Sequence, residues 1–157
     1  MATGKGQSRS NGDILEDADY RALGAFRRAI REFLAFSAEG ALAHDLTSQQ
    51  HQAMLAIRAH DGEEAISVGE LADCLLIKNH SAIGLVTRLV DRGFAHRLES
   101  AIDRRRALVA LTPAGSQVLH DISVRNLAQL KSATRILEGV LRTTRKLSAR
   151  GSGDQDS

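Results

Sequence analysis

The chain has 157 residues, of which 43% are hydrophobic and 3% aromatic, and its net charge is +2. These totals predict one folded domain with a core of Leu, Ile, Val and Ala, a composition that favours helices. A single cysteine excludes an internal disulfide framework. Because no signal-peptide pattern or long apolar run is found, we expect a cytoplasmic protein.

The charge is unevenly distributed along the chain. Residues 1–77 carry seven Lys and Arg against twelve Asp and Glu, whereas 78–106 carry seven against three and 125–150 carry seven against one. A local basic excess on a nearly neutral chain indicates a face that binds a polyanion, although a solvated charged surface is the alternative. We interpret the excess in 125–150 as a solvated helix face.

A long first helix is predicted over 17–43, following a polar tail at 1–13 that is expected to lack fixed structure. Apolar side chains recur in this helix at helical spacing and form a stripe. The members of the stripe expected at a dimer interface are Leu23, Phe26 and Ile30.

Three shorter helices are predicted next. Thr47 and Ser67 each begin a helix, because each is followed three residues later by Gln or Glu in a capping-box pattern. After the connecting turn "LLIKNH", a fourth helix begins at Lys78 or Asn79 and ends at Gly93.

From Ala95 to Leu111 the period of the sequence changes. The strand-like segments "AHRLE" and "ALVAL" are separated by the polar "SAIDRRR", which predicts a β-hairpin. Thr112 then caps a last helix, with Pro113 in its first turn, that continues with or without a break to about 147 before a polar tail at 148–157. The apolar stripe of its final part includes Leu130, Leu137 and Leu141.

Two short helices joined by a tight turn and followed by a hairpin make a winged helix-turn-helix. The predicted fold class is therefore mainly α with a small β-hairpin wing, in a single domain over 17–147 whose winged part is 47–111. A winged domain of about 60 residues cannot cover the stripes of the helices at 17–43 and 125–147, and exposed stripes of that size usually mark an interface. We therefore expect these two helices to form a homodimer.

The fourth helix is the candidate for DNA reading, since the second helix of a helix-turn-helix enters the major groove. At 100° per residue it directs Ala82, Leu85 and Leu89 to the core and the opposite face outward. Gly84 on the outward face either permits close approach of the backbone to DNA or is a tolerated glycine. The residues expected to contact DNA here are Lys78, Asn79, His80, Ser81, Thr87 and Arg88.

The wing carries three consecutive arginines. Arg104 and Arg105 fall at its tip, where a guanidinium can contact phosphates or enter a minor groove, although a charged turn without a partner is the alternative. Asp103 is expected to hold an arginine of the wing by a charge-assisted hydrogen bond. Arg106 is expected only to flank the return strand.

The segments "LTSQQHQAML" and "SVGELADCLLIKNHSAIGLVTRLVDRGFAHRLESAIDRRRALVALTPAG" resemble the multiple-antibiotic-resistance regulator (MarR) family of winged helix-turn-helix transcription factors. The resemblance covers roughly residues 20–147, and its most specific parts are "LVDRG" and "DRRRALVALTPAG". It implies a homodimer with interlocked terminal helices that reads a palindromic operator, usually as a repressor. It also implies release by a small, commonly phenolic, effector or an oxidant, and it makes Arg105 the minor-groove arginine.

The chain departs from the family pattern at two places. Ile83 and Gly84 stand where members often have Thr-Arg, so the operator cannot be transferred and base contacts shift towards His80 and Thr87. Redox-sensing members carry a cysteine near the start of the first helix, whereas Cys74 lies in the helix-turn-helix. We interpret Cys74 as a buried, inert thiol.

The effector site of family members lies between the dimerisation helices and the reading domain. Candidate lining residues are Phe33, Phe36, His51 and Met54, with core packing as the favoured alternative for each. The histidines show no metal-ligand spacing, so neither a metal nor another cofactor is expected.

Two other functions remain for comparison. One is a winged protein-interaction module that has lost DNA binding, against which the basic excess of 78–106 argues. The other is an enzyme using Ser116, His120 and Asp121, but helical spacing explains these residues and nothing supplies an oxyanion hole. We therefore predict no catalytic residues.

Overall fold

The computed structural model describes residues 15–151, without the side chains of 132–133, 135–137, 140–141 and 143–151. The predicted tail at 1–13 lies outside the described residues, as does 152–157 of the second tail. The elements in chain order are α1 (Asp17–Leu42), α2 (Ser48–Ala59), α3 (Val68–Cys74), α4 (Asn79–Asp91), β1 (Ala95–Glu99), β2 (Ala107–Leu111) and α5 (Pro113–Gly151).

The order of elements is the predicted one, mainly α with one antiparallel hairpin. The last helix runs without a break and continues four residues past its predicted end. The chain divides into two compact units, one being Leu34–Ala128 and the other the described parts of 1–33 and 129–157. The first of these units contains the whole winged helix-turn-helix.

Two capping boxes begin α2 and α3, as predicted from their sequence spacing. The Thr47 hydroxyl accepts from the Gln50 N–H at 3.2 Å, and the Gln50 side chain accepts from the Thr47 N–H at 2.9 Å. Ser67 and Glu70 repeat the arrangement at 3.2 and 2.8 Å. Each box satisfies donors that a helix start would otherwise leave unpaired.

The core of the Leu34–Ala128 unit is aliphatic. The face of α4 predicted to be internal is buried, and α2 contributes Ala53, Met54 and Ile57. The largest fully buried side chains are Met54, Ile66, Leu71, Leu85, Leu89, Ile122, Val86 and Val109.

The hairpin has the predicted boundaries and a continuous register from Ala95 opposite Leu111 to Glu99 opposite Ala107. Val109 also donates to the Ile66 carbonyl at 2.9 Å, which joins β2 to the segment before α3. Gly93, at a φ of +70°, makes the turn from α4 into β1, a backbone conformation that glycine adopts without strain.

A close joint connects the hairpin to α5. The Thr112 hydroxyl donates to the Gly93 carbonyl at 2.6 Å and accepts from the Gly115 N–H at 3.0 Å, while the Thr112 N–H donates to the Phe94 carbonyl at 3.0 Å. Thr112 is therefore the cap predicted for this helix, and it also holds the start of β1.

The terminal helices expose apolar side chains in the single chain. Leu23 is 52% exposed, Ile30 is 41% exposed and Leu130 is 40% exposed, whereas Phe26 is half-buried. Leu137 and Leu141, also predicted for the dimer interface, lie outside the described side chains. Among residues 15–151, no helix combines the length and hydropathy needed to cross a membrane.

Candidate nucleic-acid interface

The outward face of α4 is available to a partner. All six residues predicted to contact DNA on and before this helix are exposed: Lys78, Asn79, His80, Ser81, Thr87 and Arg88. Lys78 is the N-cap residue and makes no side-chain capping bond, since an ammonium group has no acceptor for the N–H groups of the helix start.

Gly84 makes room for an arginine of the same helix. A Cβ at this position would lie 3.4 Å from Nη1 of Arg88, so the guanidinium lies along the helix over the glycine. This placement brings the charge of Arg88 one turn towards the N-terminus of α4, which is the end that meets base edges in a helix-turn-helix. The sequence did not suggest this use of the glycine.

The hydroxyl of Thr87 forms hydrogen bonds within the protein. Its hydroxyl donates to the Ile83 carbonyl at 2.9 Å and accepts from Nη2 of Arg97 at 2.8 Å. A hydroxyl has one proton to donate, so Thr87 in this arrangement can only accept from a further partner. Sequence reasoning missed Arg97; strand alternation places it on the same side of β1 as the buried Ala95, and this would have directed it towards α4.

The wing tip is stabilised by its own backbone. Oδ1 of Asp103 accepts from the backbone N–H of Arg105 at 2.9 Å, and the Ser100 hydroxyl accepts from the N–H of Ile102 at 3.2 Å and from that of Asp103 at 2.9 Å. Asp103 thus shapes the turn through the main chain. The prediction that it holds an arginine side chain was wrong, because its hydrogen bond goes to a backbone N–H. Arg104 and Arg105 are both exposed.

Arg106 anchors the wing, and the expectation that it merely flanks the strand was wrong. Its Nη2 donates to Glu70 at 2.8 Å, and its Nη1 lies 3.9 Å from Glu64. Glu64 in turn accepts from the Ser100 hydroxyl at 2.6 Å and from the Ala101 N–H at 2.8 Å. Two carboxylates before and within α3 therefore hold both ends of the wing loop.

Hydrogen bonds lower the pKa values of the carboxyl groups of both Glu64 and Glu70. The hydroxyl and backbone N–H of Ser67, with a smaller contribution from Arg106, lower the pKa of Glu70 to about 2. The hydroxyl of Ser100 is the main cause that lowers the pKa of Glu64. Hydrogen bonds that stabilise the charged form produce shifts in this direction.

An open groove of about 380 Å³ separates α4 from the wing. Asn79 and Ile83 form its helix side, and the start of α3 closes one end. Three arginines of the hairpin, Arg97, Arg105 and Arg106, line its other side. Because Arg106 is paired with carboxylates, the net positive charge of the groove comes from Arg97 and Arg105.

A buried polar chain connects α1, α2 and α5 away from this groove. Asn126 donates to the Ser37 hydroxyl at 3.0 Å, which lies 3.4 Å from Nδ1 of His51. Burial lowers the pKa of His51. Nε2 of His51 and Oδ1 of Asn126 have no hydrogen-bond partner among the described residues.

The residues proposed for an effector site have different surroundings. Met54 is completely buried in the core, and the ring of Phe36 lies 5.1 Å from the guanidinium of Arg125. Phe33 is half-buried. For Met54, core packing is the observed role, and the effector site stays a prediction. No group of three or more His, Cys, Asp or Glu able to hold a metal occurs within the described part of the chain.

Cys74 is exposed, which contradicts the expectation of a buried thiol. The helix α3 has only seven residues, and Val68, Leu71 and Ala72 form its buried face. Cys74 follows on the other side of the helix, so its thiol faces outward.

Comparison with known proteins confirms the resemblance read from the sequence. Residues 44–106 match the model of the MarR family, which covers α2, α3, α4 and the hairpin to its tip. The curated proteins contain no significant match to the chain.

Solved structures share the fold over most of the chain. A MarR family transcriptional regulator from Streptomyces coelicolor, AbsC, is 16% identical with a TM-score of 0.65, covering 85% of this chain and 92% of that one. MepR of S. aureus, in a complex with DNA, is 18% identical with a TM-score of 0.63, covering 83% and 97%. A MarR family regulator from Silicibacter pomeroyi is 20% identical with a TM-score of 0.63, covering 88% and 94%. At these identities the likeness shows the winged helix-turn-helix fold.

Proposed function

We propose that the chain is a member of the MarR family and a homodimeric transcriptional regulator that binds a palindromic DNA operator in the cytoplasm. The observation that carries this proposal is the cationic groove between α4 and the wing. It offers two guanidinium groups, Arg97 and Arg105, to one strand of a duplex whose base edges meet α4. Arginine suits such a role because its planar fork donates two hydrogen bonds to a phosphate.

The recognition helix supplies groups for base edges. Exposed Asn79, His80 and Ser81 lie in its first turn, and Arg88 is folded back towards them over Gly84. Side chains of these kinds hydrogen-bond to bases in the major groove. The wing tip then reaches the neighbouring minor groove with Arg104 and Arg105, where arginine is favoured by the negative potential.

Dimerisation is supported by the exposed apolar side chains of the long helices. Leu23, Ile30 and Leu130 are each 40% exposed or more in the single chain. Burial of such side chains against a second copy removes apolar surface from water. A two-fold dimer would place its recognition helices about 34 Å apart, which is one turn of DNA, and would match a palindrome.

The family resemblance supports a direction of regulation. We propose repression of a target gene and release by a small, phenolic or similar molecule that enters near Phe36 and His51. The buried His51 supports a polar group in such a molecule, because its Nε2 has no partner among the described residues.

Salt-dependent binding to duplex DNA tests the proposal. Counterion release predicts that log K falls with log salt at a slope of about −0.9 per phosphate contact. Replacing Arg105 by Ala should reduce this slope by about one and weaken operator binding by roughly 1–3 kcal/mol. Arg58→Ala, which removes an exposed arginine of α2 outside the groove, is the matched control and should change neither value.

Two results would count against the proposal. Unchanged affinity of the Arg105→Ala protein would remove the wing from the mechanism. Absence of salt-dependent binding to any duplex would favour the alternative, a winged protein-interaction module.

A further inference from the structure

Ile83 is an exposed apolar side chain on a helix face that is otherwise polar. It is 44% exposed, and it lines the groove beside Asn79 and Arg97. The neighbouring large apolar residues of α4 are directed inward, since Leu85 and Leu89 are almost completely buried. Ile83 therefore contributes little to the core and presents its methyl groups to a molecule bound in the groove.

The surroundings of Ile83 hold it in place. Its backbone carbonyl accepts the Thr87 hydroxyl at 2.9 Å, and that hydroxyl is fixed from the other side by Arg97. A β-branched side chain in a helix strongly prefers one χ1 rotamer, so the directions of the Ile83 Cγ1 and Cγ2 atoms are favoured before any partner binds. At this point of the face, the donor of Thr87 is used internally and the rigid apolar surface of Ile83 remains.

The chemistry of the major groove offers one matching group. Base edges there present hydrogen-bond donors and acceptors, and the 5-methyl group of thymine is the apolar feature among them. Resting on the proposed function, we propose that Ile83 determines specificity by packing against a thymine methyl group in each half of the operator. The polar residues of α4 and the arginines of the hairpin position the duplex so that this contact forms.

Other exposed apolar residues do not have this placement. Leu76, at 93% exposed, lies in the turn before α4, and Leu55, at 47% exposed, lies on α2. Neither lines the groove between α4 and the wing. Leu55 matches Ile83 in exposure and is therefore the control position.

The test uses an operator that the protein itself selects from a random-sequence duplex library. Each thymine is replaced in turn by deoxyuridine, which removes only the 5-methyl group, and affinity is measured by fluorescence anisotropy. Loss of one buried methyl contact predicts about a four-fold weaker complex for one half-site and roughly fifteen-fold for both. Ile83→Ala should bind the thymine and uracil operators equally, whereas Ile83→Val and Leu55→Ala should keep the preference for thymine.

The outcomes separate this inference from the proposed function. A selected operator that is insensitive to deoxyuridine at every position would overturn the role of Ile83 and leave DNA regulation intact. The same holds if the sensitive thymine stays sensitive in Ile83→Ala, because another residue then makes the contact. If no duplex is selected, the proposed function fails and the role of Ile83 fails with it.

Discussion

Replacing Gly115 by Ala tests the joint between the wing and α5. A Cβ at this position would lie 2.0 Å from the carbonyl oxygen of Phe94, so the backbone has to move by about 1.4 Å to reach an ordinary contact. That carbonyl accepts the Thr112 N–H at 3.0 Å, and moving it weakens this bond, at about 1 kcal/mol. Overpacking a filled site adds roughly 1–3 kcal/mol.

The higher helix propensity of alanine offsets about 1 kcal/mol of this cost. We therefore expect a net loss of roughly 1–3 kcal/mol in the free energy of unfolding, which lowers Tm by about 2–12 °C for a chain of this size. Thermal unfolding by circular dichroism at one fixed protein concentration measures the difference. The control is Gly84→Ala, whose Cβ meets only a flexible guanidinium end at 3.4 Å and which should stabilise the protein by up to about 1 kcal/mol. A Gly115→Ala protein that melts at or above the wild-type temperature would refute the packing argument.

Three further measurements address the interface, the wing anchor and the thiol. If the chain forms the proposed dimer through α1 and α5, Leu23→Lys or Leu130→Lys should convert it to a monomer in sedimentation equilibrium, whereas Leu55→Lys should leave it intact. A dimer in all three variants would place the interface elsewhere. Since the pKa of Glu70 is lowered to about 2, the contribution of its carboxylate to stability is complete above about pH 4.5 and is lost as the pH falls towards 2. Glu70→Gln should therefore flatten the dependence of Tm on pH in that window. An unchanged profile would contradict the role of Glu70 as an anchor of the wing. Cys74 should react with Ellman's reagent in the folded protein without denaturant, and labelling that requires denaturant would show that the thiol is covered.

Much of the Leu34–Ala128 unit could be predicted because its signals are local. The helix starts at Thr47 and Ser67 depend on a partner three residues away, and the hairpin boundaries depend on the change from helical to alternating periodicity. The buried face of α4 likewise follows from periodicity alone. Each of these features is determined within about a dozen residues of sequence.

The corrected predictions depend on residues far apart in sequence. Arg106 pairs with Glu70, which lies 36 residues earlier, and no local sequence pattern predicts that bond. The exposure of Cys74 depends on which side of a seven-residue helix meets the core, and so short a segment has too few apolar positions to show it. The hydrogen bond from Arg97 to Thr87 likewise depends on how closely β1 approaches α4, which the sequence does not show.

The three consecutive arginines of the wing have separate roles. This division of roles explains how acidic residues can lie so near the proposed DNA-binding surface. Arg106 neutralises Glu70 and lies near Glu64, while Asp103 is occupied by the backbone of the turn. Among the described residues, none accepts a hydrogen bond from the guanidinium of Arg104 or Arg105. The carboxylates thus fix the base of the wing, and the positive charge left at its tip is directed outward. Because phosphate contacts are screened by salt while the anchoring bonds are part of the fold, rising salt should release DNA before it loosens the wing.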